Sequence, residues 1–190
     1  MTQVATPTRT TWRIDPAHTA VEFSVKHMMF TTVRGRFKGV TGKIVADEDN
    51  PDRSTVEVDI DTTTIDTGVA DRDAHLRSPD FLDAEKLPKM LFRSKRVDGA
   101  MNREGDRFRV TGDLTIRDTT LEVVLEVTFD GRGKDPWGGE RAGFTARTEI
   151  DRREWGLRWN QALETGGILV GNNVKIELEV QAVKETGEGA

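Results

Sequence analysis

The 190-residue chain contains no cysteine and no tyrosine. Without cysteine it has no disulfide, no thiolate nucleophile and no thiolate ligand for a metal. Without tyrosine it lacks a side chain that commonly serves as a general acid. The absence of cysteine also fits a reducing compartment.

Long apolar runs are also missing, and neither sign of charge dominates. No run approaches the roughly 18 apolar residues that a membrane helix needs. The first ten residues, MTQVATPTRT, lack the apolar core of a secretory signal. The 33 acidic and 28 basic residues form no basic stripe, so nucleic acid is not an expected partner. We therefore expect a cytoplasmic protein with no integral membrane segment.

Common catalytic motifs are absent as well. The four serines include none in a G-x-S-x-G elbow, and no G-x-G-x-x-G or Walker-type loop is present. The histidines His18, His27 and His75 show neither H-x-H nor H-E-x-x-H spacing. Only the fold could then assemble a metal site, and we expect no catalytic residue, no metal and no cofactor.

His75 is the histidine with the most carboxylates near it in the sequence. Three aspartates that are able to supply oxygen ligands are Asp71, Asp73 and Asp80. We favour a structural interpretation instead, in which Asp15, His18 and His75 make hydrogen bonds that attach a helical insertion to the rest of the fold. Asp73 is close enough to orient the His75 ring under either interpretation.

Strict alternation of apolar and polar residues is the strongest positive signal. Val21, Phe23 and Val25 alternate with polar neighbours, which indicates a strand with one dry and one wet face. Similar patterns predict eight strands in all, at about 19–27, 33–46, 54–61, 89–97, 106–116, 120–129, 141–150 and 173–182.

Residues of about 68–87 break the pattern and predict a short helical insertion. Thr67 is placed to cap a helix that runs to about Arg77. Ser78-Pro79-Asp80 then combines a hydroxyl cap, a proline at the first helical position and a carboxylate in the first turn. This combination predicts a second helix, which Pro88 ends.

Eight amphipathic antiparallel strands form either a sandwich or a closed barrel. Long strands at 33–46 and 120–129 favour the barrel. A membrane barrel would turn its apolar side chains outward between aromatic girdles, and the sequence shows no girdle. We predict one all-β domain over residues 1–190, an eight-stranded antiparallel barrel with polar tails at about 1–10 and 185–190.

Four segments, in order, resemble the YceI-like polyisoprenoid-binding proteins. They are Trp12-x-Ile14-Asp15-Pro16-x-His18-Thr19-x-Val21-x-Phe23-x-Val25-Lys26-His27; Asp73-x-His75-Leu76-x-Ser78-x-Asp80-Phe81-x-Asp83 with Lys86-Leu87-Pro88; Gly112-Asp113-Leu114-Thr115-Ile116; and Phe144-x-Ala146 with Ile150-x-Arg152-x-x-Trp155-Gly156. The resemblance spans roughly residues 12 to 183. One departure is Asp118, where the family usually has a glycine in the turn between the fifth and sixth strands.

This resemblance implies a lipocalin-like barrel that holds a long isoprenoid or quinone-like chain in an apolar tunnel, commonly as a homodimer. The candidate ligand-binding residues lie on the apolar faces of the strands: Val21, Phe23, Val25, Phe37, Val58, Ile60, Met90, Phe92, Phe108, Leu114, Phe129, Phe144 and Ile150. The same residues would fill a solid core equally well, since every barrel strand has inward side chains.

Two tryptophans and an arginine complete the candidate site. Trp155 and Trp159 flank a glycine in an irregular segment and either line one end of the tunnel or plug it. Arg152 is able to meet a phosphate or quinone oxygen through its guanidinium group.

Three functions are compatible with these features. The leading hypothesis is a protein without catalytic activity that carries or sequesters an isoprenoid lipid. The second is an enzyme acting on an apolar substrate, with His75, Asp73 or His27 as acid or base inside the barrel. The third is a stress-related structural dimer whose barrel is filled.

Overall fold

The computed structural model describes residues 8–99 and 101–186 of the chain. Within these ranges the regular elements are eleven strands, one α-helix and four 3₁₀ turns. The strands are β1 (Arg9–Ile14), β2 (Ala20–His27), β3 (Thr31–Phe37), β4 (Val40–Asp47), β5 (Thr55–Asp61), β6 (Ile65–Asp66), β7 (Lys89–Asp98), β8 (Arg107–Ile116), β9 (Thr119–Lys134), β10 (Glu140–Asp151) and β11 (Val170–Lys184). The helix α1 is Ala70–Arg77, and the 3₁₀ turns are Pro16–His18, Pro51–Arg53, Thr62–Thr64 and Arg152–Trp155.

The sheet closes on itself through β11. Hydrogen-bonded neighbours follow the order β1-β4-β5-β7-β8-β9-β10-β11, and β11 then pairs with β1. Each of these pairings is antiparallel. The closed eight-stranded antiparallel barrel confirms the predicted fold class.

Strands β2, β3 and β6 extend one side of this barrel. The first part of β11 pairs with β2, and its last residues, Ala182 to Lys184, pair with β1. β3 pairs with β2, and β4 with β1, while β6 adds two residues beside β3. β1–β2 and β3–β4 are thus the two arms of one long hairpin, and each arm has a break.

Most predicted strands are confirmed to within a few residues at their ends. The strand predicted at 120–129 continues to Lys134 as part of β9. The three glycines within 33–46 predict a single, strongly bent strand, but the chain breaks between β3 and β4 and forms two strands. At the break, the N–H groups of Lys38 and Gly39 both donate to Thr64 Oγ1, at 3.2 and 3.0 Å, instead of to a neighbouring strand.

The predicted N-terminal tail is wrong in its last residues. Arg9 and Thr10 belong to β1, which pairs with β4 and β11 and buries Trp12 and Ile14. Residues 1–7 lie outside the described residues. At the other end, β11 ends at Lys184 and residues 185–186 form no regular structure, whereas 187–190 lie outside the described part of the chain.

The first helix of the insertion is confirmed as α1, with a different cap. Its N-cap is Val69, not Thr67. Thr67 instead donates from its N–H and its hydroxyl to Asp73 Oδ1, at 2.9 and 2.5 Å, so the carboxylate reaches back from inside the helix. Within the described residues no helix is long and apolar enough to cross a membrane.

The second predicted helix is wrong, since residues 79–86 form consecutive turns. The chain folds back along α1, where the Leu82 N–H donates to the Leu76 carbonyl and the Ala84 N–H donates to the Arg77 carbonyl. Asp83 takes a positive φ of 49°, which ends any helical path. Burial of Leu82 and its neighbours against the barrel outweighs the local helix signal.

A substitution of Gly42 tests how closely β4 packs against β5 and β1. A Cβ on this residue would lie 2.3 Å from the Glu57 carbonyl oxygen and 2.9 Å from Ile14 Cδ1. We expect Gly42→Ala to lower the free energy of unfolding by roughly 1–3 kcal/mol in urea titrations. Gly133→Ala in β9 is the matched control, because a Cβ there meets nothing within 4 Å. Equal stability of the two variants would contradict this packing.

Asp15 links the break between β1 and β2 to β10. Its carboxylate accepts hydrogen bonds from His18 Nδ1 at 2.9 Å, Arg141 Nη1 at 2.8 Å and the Ala17 N–H at 3.0 Å. The bonds from His18 and then Arg141 are the main causes that lower the pKa of Asp15 to about 2.

A carboxyl group with a lowered pKa stabilises the fold above its ordinary value of 3.8, and this contribution is lost as the pH falls towards 2. We expect the free energy of unfolding of the wild type to fall more steeply over this interval than that of Asp15→Asn. Urea unfolding at about pH 5 and about pH 2.5 measures the difference. Asp52→Asn, in an exposed turn, should keep the wild-type slope.

Candidate functional site

The barrel encloses a cavity of about 270 Å³. It extends from Pro51 and Ser54 at one end to Leu76 and Leu157 beside α1, which we call the helix end. Its walls are almost entirely aliphatic and aromatic. The polar residues that reach it within the described chain are few: Glu22, Ser54, Thr148 and Arg152. Such a space favours a ligand that is mostly hydrocarbon.

Strand alternation produces this lining. Every second residue of each strand points inward, so the polar residues between them face the outside. On β11, for example, Val174, Ile176 and Leu178 reach the cavity. Lys175 and Glu177, which lie between them, are opposite Glu149 and Arg147. Closure of the sheet makes all the inward faces meet around one space.

Most of the predicted ligand-binding residues reach this cavity. They are Val21, Phe23, Val25, Phe37, Val58, Ile60, Met90, Phe92, Phe108, Leu114, Phe144, Ile150 and Arg152. The cavity lining does not include Phe129, Trp155 or Trp159. Phe129 is buried and packs against Phe144, its partner across β9 and β10, with 5.5 Å between the ring centroids, so it lies on the inward face without reaching the cavity. Whether the lining residues contact a ligand stays a prediction.

About two thirds of the residues that line the cavity were not predicted from the sequence. Strands β9 and β11 contribute Val123, Leu125, Val127, Val174, Ile176, Leu178 and Val180. The alternation of these strands carried the signal, and extending the inward face to every strand would have found them. Leu76, Phe81 and Leu157 carried no such signal, since they reach the cavity from α1 and from irregular segments.

Gly112 makes room for one of the cavity phenyl rings. A Cβ at this inward position of β8 would lie 2.6 Å from Phe92 Cζ and 2.6 Å from the Arg93 carbonyl oxygen. Because Gly112 has no side chain, the Phe92 ring is able to occupy the space over it. The free volume of the cavity therefore depends on small residues as well as on large ones.

Trp155 belongs to the layer that closes the helix end. It is 2 % exposed, and its indole N–H donates to the Leu114 carbonyl at 3.0 Å. Trp159 packs at this end edge-on against His75, with ring centroids 4.6 Å apart, and also contacts Phe81. The arrangement matches a plug of the barrel end, one of the two interpretations of these tryptophans.

Arg152 ties this plug to the barrel. Its guanidinium group donates to four carbonyl oxygens, those of Leu157 at 2.6 Å, Gly171 at 2.9 Å, Trp159 at 3.0 Å and Val170 at 3.3 Å. Burial lowers the pKa of this group below its ordinary value. Its neighbours differ: Arg153 pairs with the Asp151 carboxylate, and Arg158 is exposed.

The histidines lie outside the cavity lining of the described residues. His75 Nε2 lies 2.8 Å from Asp80 Oδ2, and His18 Nδ1 lies 2.9 Å from Asp15 Oδ2. Asp73 is engaged by Thr67 rather than by His75. The predicted hydrogen bonds are therefore made in other places than expected. Asp15 and His18 act at the β1–β2 break and not at the insertion, and His75 bonds to Asp80 within the insertion and packs against Trp159.

Comparison with known proteins agrees with this architecture. The model of the YceI-like domain family matches residues 12–182. Protein YceI of Escherichia coli O157:H7 is 41% identical over 141 residues, which cover 74% of this chain and 72% of that protein. The crystal structure of BcnA from Burkholderia cenocepacia superposes with a TM-score of 0.75 at 22% identity, covering 88% of this chain and 98% of that one.

A second solved structure supports the same fold. It is a polyisoprenoid-binding domain from Saccharophagus degradans implicated in plant cell wall breakdown. It superposes with a TM-score of 0.69 at 11% identity and covers 92% of this chain and 98% of that one. At this identity the likeness shows the fold.

Removing the Arg152 guanidinium group tests its role in the plug. Arg152→Met would leave four carbonyl oxygens without their donor, and we expect the free energy of unfolding to fall by about 2–4 kcal/mol in urea titrations. Arg158→Met is the control, because Arg158 is exposed, and it should stay within about 0.5 kcal/mol of the wild type. Similar losses in both variants would contradict the assigned role.

Proposed function

The chain belongs to the YceI-like domain family, and we propose that it binds an isoprenoid lipid, a polyprenyl or quinone-like chain, in the lumen of its barrel. The observation that carries this proposal is the continuous apolar cavity of about 270 Å³ along the barrel axis. The likeness to a polyisoprenoid-binding domain supports the choice of lipid class. Binding of this kind suits carriage or sequestration.

The size of the cavity limits how much of the chain it holds. A protein cavity of about 150 Å³ accommodates one benzene, so a cavity of about 270 Å³ holds on the order of two five-carbon units by that measure. At about 0.8 kcal/mol for each buried carbon, two units contribute roughly 8 kcal/mol. Association costs about 4–15 kcal/mol. A tightly bound chain therefore has to be longer, which requires lining side chains to move.

The lining is suited to such adjustment. Met90 and Met101 are unbranched and adopt many rotamers, so they can follow the shape of a guest. Phe108 and Phe144 meet edge-on, with ring centroids 6.5 Å apart, and rotation of either ring would extend the space. We infer that ligand length is selected loosely, because displacement of flexible side chains sets the limit.

Arg152 has little hydrogen-bonding capacity left for the polar end of the ligand. Four of its five N–H groups already donate to carbonyl oxygens. A phosphate or quinone oxygen would have to use the remaining N–H on Nη2 or displace one of these bonds. The proposal therefore assigns hydrocarbon contacts to the apolar lining and keeps Arg152 as a candidate for the polar end.

A binding role without catalysis fits the lining better than the enzyme hypothesis. Among the described residues, the cavity is reached by no histidine and not by Asp73. His75 or Asp73 would have to enter the lumen through a rearrangement of the insertion, and His27 through a rearrangement of the end of β2. A filled barrel, which the structural-dimer hypothesis needs, does not fit a cavity of this size.

The oligomeric state and the cellular location of the protein are further parts of this proposal. We expect a homodimer from the family resemblance, and multi-angle light scattering of the purified protein measures its mass. A cytoplasmic location stays a prediction, tested by cell fractionation. The stress-related role likewise stays a prediction.

Filling the lumen tests the proposed function. Ala146 is buried, reaches the cavity from β10 and has no bulk of its own. We expect Ala146→Phe to lower the amount of isoprenoid that co-purifies with the natively folded protein by roughly tenfold, because about one isoprene unit of space is lost. Mass spectrometry of an organic extract measures the amount of lipid relative to protein.

Val124→Phe provides the matched control. Val124 lies on the outer side of β9 and is 43 % exposed, so the same ring is added away from the lumen. This variant should retain the wild-type lipid content. An extract of the wild type that holds no isoprenoid, even after incubation with prenyl lipids, would refute the proposed function.

A further inference from the structure

The hairpin between β2 and β3 ends in three consecutive exposed apolar residues. Met28, Met29 and Phe30 are 39 %, 60 % and 72 % exposed. We call these three residues the apolar tip. Single exposed apolar residues are common on protein surfaces, but a contiguous group at the end of a projecting hairpin marks an interaction site.

The backbone of the apolar tip is unfavourable for the residues it contains. Met28 and Met29 have φ angles of 51° and 71°, and the Phe30 N–H donates to the His27 carbonyl at 3.3 Å. This is the backbone of a tight hairpin turn with two left-handed residues, for which asparagine and glycine are the preferred choices. Two methionines there oppose both backbone preference and solubility. Met29 lies beside Gly167, where an added Cβ would be 3.5 Å from Met29 Cγ, but it stays 60 % exposed.

The apolar tip lies beside the least continuous seam of the barrel. Along β2 and β11, Val25 pairs with Val174 and His27 pairs with Val170. One residue of β2 therefore faces three of β11, 171–173, and the ladder is interrupted there. Val25, Val170 and Val174 all reach the cavity, so the interruption lies over the lumen. The tip borders this seam, because the Met28 N–H donates to the Leu169 carbonyl at 2.8 Å.

Positive charge flanks the apolar tip on the outer face of the sheet. Lys26 and Arg34 lie on the two strands of the hairpin, and Lys175 lies on the adjoining β11. Within the described residues, none of the three makes a salt bridge with a carboxylate: Lys26 donates to Thr32, and Glu149, which lies opposite Lys175, accepts from Asn173 instead. Apolar side chains bordered by cations complement the anionic surface of a lipid bilayer.

We propose that the apolar tip inserts into the interfacial region of an anionic bilayer and brings the β2–β11 seam to the membrane. The inference rests on the proposed function, since a ligand that is mostly hydrocarbon has to pass between the lumen and a lipid phase. The tip places the seam at that phase. Lys26, Arg34 and Lys175 then contact lipid phosphates while Met28 to Phe30 enter among the acyl chains.

Trp137 supplies an internal comparison. It is 86 % exposed, but it stands alone in the β9–β10 connection, at the end of the barrel away from the apolar tip. Its backbone N–H is held by Asp135, whose carboxylate also pairs with Arg141. The surface at Trp137 therefore offers one aromatic ring beside an acidic residue, whereas the apolar tip offers three apolar side chains flanked by cations.

Vesicle flotation of the full-length protein tests the proposal. The probes are vesicles of phosphatidylglycerol with phosphatidylethanolamine, and neutral vesicles of phosphatidylcholine as the comparison. Met28→Asn combined with Met29→Gly and Phe30→Ser supplies the preferred turn residues, so we expect an unchanged or higher Tm and at least a roughly tenfold weaker partition into anionic vesicles. Trp137→Ala should bind as the wild type does, and Lys26→Glu with Arg34→Glu should remove most of the salt-sensitive binding.

The outcomes separate this proposal from the proposed function. Binding that depends on the tip and on anionic lipid supports the proposal, even if no isoprenoid is found in the extract. If the wild-type protein carries isoprenoid but binds neither kind of vesicle, the tip proposal is overturned and the proposed function stands. The proposal is also overturned if Trp137→Ala weakens binding to anionic vesicles as much as the tip variant does. It is overturned, too, if the tip variant changes only the oligomeric mass in light scattering, which would assign the tip to contact between copies of the chain.

Discussion

Closure of the sheet through β11 is the interaction on which the rest of the structure depends. β11 pairs with β10 along one edge and with β2 and then β1 along the other. Without the second set of pairings the sheet would have two open edges and an apolar face towards water. With them, the inward faces of all the strands meet around a shared space. The cavity is a direct consequence of closure, because the inward side chains are too small to fill the lumen completely.

The two ends of the barrel are built differently, and the difference bears on how a ligand is held. At the helix end, the Trp155 indole joins the 3₁₀ turn after β10 to β8, and the Arg152 guanidinium group joins this turn to the start of β11. A buried cation bound only to carbonyl oxygens is costly to desolvate, and it repays that cost only while all its acceptors stay in place. The plug is therefore cooperative. Movement that admits a longer chain has to leave Arg152 in position or release several hydrogen bonds together.

Apolar side chains occupy two environments that folding alone does not explain. One is the lumen, where they surround space instead of filling it. The other is the apolar tip, where they face water in a strained turn. The unfilled lumen makes the fold less stable than a filled core would, and the apolar tip makes it less stable than a polar turn would. The proposed passage of a hydrocarbon ligand between the lumen and a bilayer would explain the apolar lumen and the apolar tip together, because both would then contact hydrocarbon instead of water.

Most of the barrel was predictable from the sequence, because a strand with one dry face has to alternate. Val21, Phe23 and Val25 predicted an inward face that the structure confirms, and extending the same rule to every strand of the barrel would have found most of the missed lining. The second helix failed for the opposite reason: Ser78-Pro79-Asp80 is a sound local start signal, but burial of Leu82 against the barrel overrides it. The break between β3 and β4 was equally hidden, since it depends on Thr64, a residue distant in sequence.

Which residues face inward was thus determined by the sequence itself, through the period of the strand. Whether they enclose a space was decided only by the tertiary structure. That outcome depends on the circumference of the closed sheet, on Gly112 making room for Phe92, and on the turn that seats Leu76 and Phe81 over one end. Each is a relation between residues far apart in the chain, and the volume left over is a small difference between the size of the barrel and the size of its side chains.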